Sequence, residues 1–353
     1  NSEMTMKLII ATRLHLGHSL SPPSNERLTD IIQNMERLRL RAMSSSSNTK
    51  SIVESSLSTD NYHNNSNKNA ITHVDVVIAV DATPKIEGYD YVQAVRDTVD
   101  TVQSTNSKHQ VNCHDNSNST NGNSHNDNDT SIAATNNDNH HIHVLPVTPW
   151  GKFVPALNAI ILHAREVLSA DIIMFVSAEI DASAQTISTL CRCVIDDPNV
   201  VAAGAVLPGH DYQGQTMQQQ QQQKEDNSVV DSTDHSNQST PVNPPVEVPL
   251  TGRTTPWNTL CVWDLRRLSL VGFACVSDLG TTAGVEECAA IAIIQKMYPQ
   301  SKACLLLMDD IRWEKSFGDD IERKKWHEQK MKSKVERPEW QLQQLNNLTG
   351  TVL

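Results

Sequence analysis

Residues 150–179 constrain the fold of this chain more than any other stretch. They read as a loop (Trp150-Gly-Lys-Phe-Val), an amphipathic helix and a buried strand that ends in a carboxylate. Ala156, Leu157, Ile160, Ile161, Ala164, Val167 and Leu168 fall within an arc of roughly 140° at helical spacing. Pro155 suits a first helical turn, where its missing N–H costs nothing. Asp171 opens the apolar run Ile172–Val176, short and rich enough in β-formers for a central parallel strand. Ser177, Ala178 and Glu179 follow at its carboxyl end, the edge where open α/β sheets bind ligands.

Other runs repeat the alternation. Strands are expected at 7–11, 74–80, 142–147, 200–207 and 303–308, and an apolar run lies at 260–263. Helices are expected at 26–40, beyond Asp181 or Ser183 as cap, at 286–297 and at 321–334. Strands alternating with helical patterns predict an α/β fold, a doubly wound and mostly parallel sheet. Three polar tracts, 43–70, 103–140 and 212–247, hold too little apolar surface to offset ordering and are read as disordered insertions. One domain over 1–345, so interrupted, and a tail over 346–353 result. Removing the tracts leaves roughly 250 residues, enough for one core.

Composition narrows the partners. The chain has a net charge of −12 and no strong basic patch outside 323–334, which argues against nucleic acid. No apolar run reaches the ~20 residues of a membrane span. A soluble, cytoplasmic protein is favoured, unless a missing upstream anchor places it in the Golgi. Seven scattered cysteines without a C-x-x-C pair favour a reducing compartment. His140, His141 and His143 have ligand chemistry but adjoin a polar tract, and no site is assigned to them. Arg323, Lys324 and Lys325 read as a solvated helix face.

The order of landmarks over roughly 7–287 resembles the family 2 glycosyltransferases of the GT-A fold. The features are Val80-Asp81 ending a strand, Gly151-Lys152 before Ala156-Leu157-Asn158, Phe175-Val-Ser-Ala-Glu179, and Arg266-Arg267…Gly272-Phe273…Glu286-Glu287. The resemblance implies a GT-A-like sheet and a nucleotide-sugar donor held by Asp81, Gly151, Lys152, Asn158 and Ser177. It implies a divalent metal, Mn or Mg, on Glu179, with Glu287 as catalytic base supported by Glu286. The sequence departs from the family at Ser177, which stands where the family has an aspartate. Magnesium needs only one or two protein carboxylates, so Glu179 alone is a sufficient anchor.

Outside the resemblance, Trp257 and Asn258 lie on a loop with Gly252 and offer an indole platform with polar groups, suited to an acceptor. Taken alone, Glu286 and Glu287 are ordinary first-turn helix acids, and Asp81-Ala-Thr-Pro is good turn chemistry. The expected activity is soluble, non-processive, metal-assisted transfer of a sugar to an acceptor hydroxyl on a glycan, a protein or a small molecule. The competing expectation is a catalytically silent module of the same fold, which the serine at 177 favours.

Overall fold

The computed structural model describes residues 5–16, 22–54, 70–112, 141–211, 246–279, 284–313, 333–334 and 336–353, without side chains for 45–54 and 106–112. Seven strands form one sheet: β1 (Thr5–Leu14), β2 (Ala70–Asp81), β3 (Ile142–Val147), β4 (Ile172–Val176), β6 (Val200–Ala205), β8 (Leu260–Asp264) and β9 (Lys302–Leu306). Their order is β3-β2-β1-β4-β8-β6-β9. All neighbours run parallel except β8, which lies antiparallel between β4 and β6. The α/β class and the mostly parallel sheet expected above are therefore present.

Leu8, Ile9, Ile10 and Ala11 on β1 have no exposure at all. Consecutive burial of this kind means both sheet faces are covered, as helical crossovers require. Helix α1 (Asn25–Glu54) buries Leu28, Ile32, Met35, Leu38 and Ala42, a stripe at helical spacing. Helix α3 (Val154–Leu162) continues into one π turn, His163–Val167, and buries Ala156, Leu157, Ile160 and Ile161. Ser183 caps α4 (Ala184–Asp196) by accepting the Thr186 N–H at 3.0 Å.

The polar tracts are shorter than expected at two places. Helix α1 runs to Glu54, so 43–54 is helical. Once a helix is nucleated, each further residue gains a backbone bond at little cost, even in a Ser/Asn run. Helix α2 (Tyr91–Asn112) was not foreseen and likewise covers 103–112. Tyr91, Val92, Val95, Val99 and Val102 are its buried stripe, and Asp90 accepts the Gln93 N–H at 3.0 Å. Residues 55–69, 113–140 and 212–245, and the 321–334 helix through residue 332, lie outside the described residues. Ser333 and Lys334 form a turn.

Short elements complete the body. Strand β5 (Ile180–Ala182) pairs with β10 (Ile311–Trp313), and β7 (Val248–Pro249) pairs with β11 (Thr351–Val352). Helices α5 (Leu265–Val271), α6 (Glu286–Met297) and α7 (Glu336–Gln344) follow the sheet's second half. The last residues belong to the same core: Val352 is buried and Leu353 donates to the Ala303 carbonyl at 2.8 Å.

The seat of α7 is tight. Gln341 is fully buried, accepts from the Ser277 hydroxyl at 2.8 Å and donates to the Gly284 carbonyl at 2.9 Å. A Cβ at Gly252 would overlap the Lys334 carbonyl and come within 2.8 Å of Pro338 Cγ. Gly252→Ala should therefore lift residues 333–338 off the core and cost about 1–3 kcal/mol. Denaturation and hydrogen exchange of α7 test this; unchanged stability with unchanged α7 protection would show that the contact yields freely.

Candidate active site

Strand order reverses at β1: β2 and β3 lie on one side, β4 and the later strands on the other. A crevice outside the carboxyl ends at such a switch is where open α/β sheets hold ligands. Leu14 on β1 pairs with Val80, and Ala11 with Phe175. Asp81 and the Ser177–Glu179 turn thus flank the end of β1 from either side. Two strand spacings separate them, about 10 Å.

Asp81 is buried, accepts the Thr83 N–H at 3.0 Å and meets the Lys85 ammonium at 2.6 Å. Burial alone would raise its pKa. Lys85 and Thr83 outweigh that and hold the carboxyl below its ordinary value. Glu179 is exposed, and its Oε2 accepts the Ser177 hydroxyl at 2.5 Å. The turn that carries it is held from α1: Asn34 donates to the Ile180 carbonyl at 2.8 Å, and Arg41 pairs with Asp181. These two anchors, more than 130 residues upstream, had no local sequence signal.

Loop 148–153 closes over β1, with Trp150 packed near His15 at 6.0 Å between ring centres. Gly151 has φ +64°, and a Cβ there would lie 2.6 Å from Asp278 Oδ2; only glycine fits this left-handed turn. Asp278 accepts the backbone N–H groups of Lys152, Phe153 and Val154 at 2.9, 2.6 and 3.1 Å. The start of α3, beside the expected donor-binding residues Gly151 and Lys152, is occupied by the protein's own carboxylate. Asn158 is likewise engaged: its amide donates to the Phe273 carbonyl at 3.0 Å and accepts the Phe273 N–H at 2.8 Å. Gly151 and Asn158 therefore shape the loop, and the anion-binding groups of the α3 start are already used.

The Trp257 platform is buried, at 2 % exposure. His210 stacks on the indole at 3.7 Å between centroids, and the Lys334 ammonium lies 2.8 Å from the ring centre. Two groups that near cannot share one face, so both faces are covered. The indole N–H donates to the Gly252 carbonyl at 2.9 Å. The apolar flanks drew this loop into the core instead of leaving it as an acceptor surface.

Behind Trp257 stand the two acids of α6. Glu286 and Glu287 are each 4 % exposed. Asn258 joins them: its backbone N–H donates to Glu287 Oε1, and its side-chain amide reaches Glu286 Oε1 at 3.3 Å. The Trp263 indole N–H donates to Asn258 Oδ1 at 3.0 Å and fixes that amide's orientation. Among the described residues, Glu287 Oε2 is buried with no hydrogen-bond partner. Burial, then the neighbouring Glu286 charge, push the Glu287 carboxyl up to about 7. The Asn258 and Glu287 backbone N–H groups, then Lys334, pull the other way. Val285, just before the pair, has φ +61°, a strained setting for a β-branched residue.

A chain of contacts links the acids to the crevice. Arg13 near the end of β1 lies over the Phe153 ring at 5.1 Å. A Cβ on Gly284 would meet Arg337 Nη1 at 2.8 Å and Phe153 Cε2 at 3.7 Å. The β1 end, loop 148–153, the start of α6 and α7 therefore converge. Sequence reasoning missed His210, Asp278, Lys334 and Arg337, whose roles arise only from tertiary contact. His327 and the basic run 323–325 lie outside the described residues.

No family model matches the chain, and no curated protein matches its sequence. Among solved structures it is similar to the mannosyltransferase PcManGT from Pyrobaculum calidifontis in complex with GDP-Man and Mn2+, at 12% identity and a TM-score of 0.37. The match covers 82% of this chain and 52% of that one, so the chain spans about half the length of that structure.

Glu287 gives a pH test. Its carboxyl titrates near 4.5 when unfolded and near 7 when folded. Between those values the folded state holds more protons, so stability falls as pH rises through the window. His210 acts in the opposite sense: burial, then Lys334, lower it from 6.5 to about 3. Comparison with Glu287→Gln isolates the acid, and urea denaturation should show wild type losing stability relative to the variant from pH 4.5 to 7. Parallel curves would mean that Glu287 titrates normally.

Proposed function

We propose that the chain is a nucleotide-sugar-dependent glycosyltransferase in which Glu287 is the general base. The observation that carries this reading is the buried Glu287 carboxylate, raised to about 7 with one oxygen that has no hydrogen-bond partner among the described residues. A base is most effective with its pKa near the working pH, and a first-turn acid reaches that range only when burial and a like charge oppose the helix start. In transfer, the acceptor hydroxyl gives its proton to Glu287. The acceptor oxygen bonds to the anomeric carbon, and the bond from that carbon to the diphosphate oxygen breaks.

The donor lies across the end of β1, between Asp81 with Lys85 on one side and Glu179 on the other. Ser177 and Glu179 form a small oxygen-donor set, and a single carboxylate suits an ion that completes its shell with water and phosphate. Mn2+ or Mg2+ held there supplies positive charge for the leaving diphosphate. The protein's part is to hold Glu179 at that edge, through Asn34 and Arg41, and to keep Lys152 at the mouth of the loop. The acceptor is a hydroxyl compound of unassigned class.

A second reading has its own support. Trp257 is covered, Asp278 fills the start of α3, and both acids bind Asn258. Those features suit a silent module of the same architecture, with Glu286 and Glu287 as a structural pair.

Calorimetry with a panel of nucleotide sugars, with and without Mn2+, combined with donor-hydrolysis and transfer assays, separates the two. On the transferase reading, Glu287→Gln lowers turnover by roughly 10²–10⁴-fold with donor binding nearly unchanged, and Glu286→Gln costs less. Glu179→Ala removes metal-dependent donor binding, and Ser177→Asp tightens it. Full activity in Glu287→Gln would place the base elsewhere. No donor binding by the folded wild type with any nucleotide sugar would favour the silent module.

A further inference from the structure

At the opposite end of the sheet, histidines from β2 and the start of β3 and a lysine from β1 surround one buried carboxylate. In a strand, residues two apart share a face. His73 and Asp75 on β2 therefore share one, as do His141 and His143 at the start of β3. Lys7 on β1 pairs in register with His73, and the β2–β3 ladder begins where Val76 donates to the His141 carbonyl at 2.7 Å. All five polar residues thus belong to one face at the amino edge, whereas Asp81 and Glu179 lie at the carboxyl edge.

The carboxylate is divided between two kinds of partner. Asp75 Oδ2 receives the Lys7 ammonium at 2.8 Å, with His143 Nε2 at 3.8 Å. Oδ1 instead faces His73 Nε2 at 3.0 Å and His141 Nδ1 at 3.5 Å. These three donor atoms, Oδ1 and the two ring nitrogens, all lie within 4.8 Å of one another. Donors at ~2.0–2.1 Å around a tetrahedral zinc stand about 3.3 Å apart. Small rotations of two imidazoles would bring the set to that spacing. The Asp75 side chain is 5 % exposed while those of His73 and His141 are 48 % and 32 % exposed. The carboxylate thus forms the floor and the rings a rim open to an entering ion.

We propose that His73, Asp75 and His141 form a binding site for a borderline transition-metal ion, Zn2+ in the first instance, with water in the fourth position. Two imidazoles and one carboxylate form a ligand set that suits zinc and does not suit magnesium or calcium. Lys7 serves as the outer partner of the ligating carboxylate, neutralising the oxygen that the metal leaves unused. The ion would join β3, an edge strand, to its neighbour β2, so the site is structural and independent of the transferase reading.

The test uses the full chain stripped with a chelator. Zn2+ titration calorimetry should give one equivalent, and Zn2+ should raise the thermal midpoint. His73→Ala and His141→Ala should each weaken Zn2+ binding by more than roughly tenfold, and the double variant should lose both the equivalent and the thermal shift. Circular dichroism checks that the variants fold. Co2+ should give the visible bands of a tetrahedral site without a thiolate charge-transfer band. Glu179→Ala should bind Zn2+ as wild type does, which separates this site from the proposed donor site.

Wild type that binds no Zn2+ would overturn the proposal, as would affinity unchanged in the folded double variant. A thiolate band with Co2+ would assign the metal to cysteines. Zn2+ binding lost on replacing His109, His114 and His125, but kept in the double variant, would assign it to that tract.

Discussion

The hydrogen-bond ladders on both sides of β1 are the constraint on which the rest depends. Ten residues of β1 pair in parallel with β2, and four pair with β4. Because β1 is flanked on both sides, the connections that leave β2 and β4 must diverge, and a crevice opens at their carboxyl ends. The same ladders set what lies at the other end. Parallel strands place all their amino ends together, so Lys7, His73 and His141 meet there as necessarily as Asp81 and Glu179 approach one another at the far edge. One arrangement of strands thus produces two polar edges about a dry centre.

The central strands were legible because burial on both faces leaves an apolar run, as 74–80 and 172–176 show, while the edge strand 142–147 is only partly buried. The start of α6 was legible as a pair of acids, though nothing local said that both would be buried. What escaped reading has a common physical origin. Helix α2 has a valine stripe at helical spacing, but its Ser/Asn-rich second half reads as coil when the stripe is not counted. The antiparallel direction of β8 cannot be taken from its own residues, since direction is set by the connections. Asp278 caps α3 across more than 120 residues, and Lys334 covers Trp257 across more than 70. Histidine 73 meets His141 only because the ladder between β2 and β3 has one register. Such contacts are properties of the assembled sheet, and local patterns do not encode them.

The two edges handle charge differently. Asp75 and Asp81 are both buried and both held below the ordinary carboxylate range, because lysine and further donors outweigh the cost of burial. Each contributes stability that is lost as pH falls through its folded pKa. Glu287 lies at the other extreme. Burial, then the charge of the adjacent carboxylate Glu286, raises it, and the Asn258 and Glu287 backbone N–H groups with Lys334 only partly offset that. The difference is one of partners, since all three groups are nearly inaccessible to solvent.

That difference bears on whether the α6 acids are structural. A buried acid kept for stability should have both oxygens satisfied, since a buried unpaired acceptor costs about 1–3 kcal/mol. Glu287 has one oxygen bonded to the Asn258 N–H and the other without a hydrogen-bond partner among the described residues. The preceding Val285 is left-handed, at a cost of order 1–3 kcal/mol for a non-glycine residue. Two such costs within three residues oppose folding, and the backbone N–H groups with Lys334 offset them only in part. Natural chains break local rules at sites where chemistry requires it. An unpartnered oxygen on an acid that titrates near neutrality can accept a proton from a bound hydroxyl, whereas a fully bonded carboxylate could do so only by giving up a partner first. The same geometry also explains why the pair needs Asn258. Adjacent helical residues point about 100° apart, and a single residue that offers both a backbone and a side-chain donor can hold the two acids together while leaving one oxygen open.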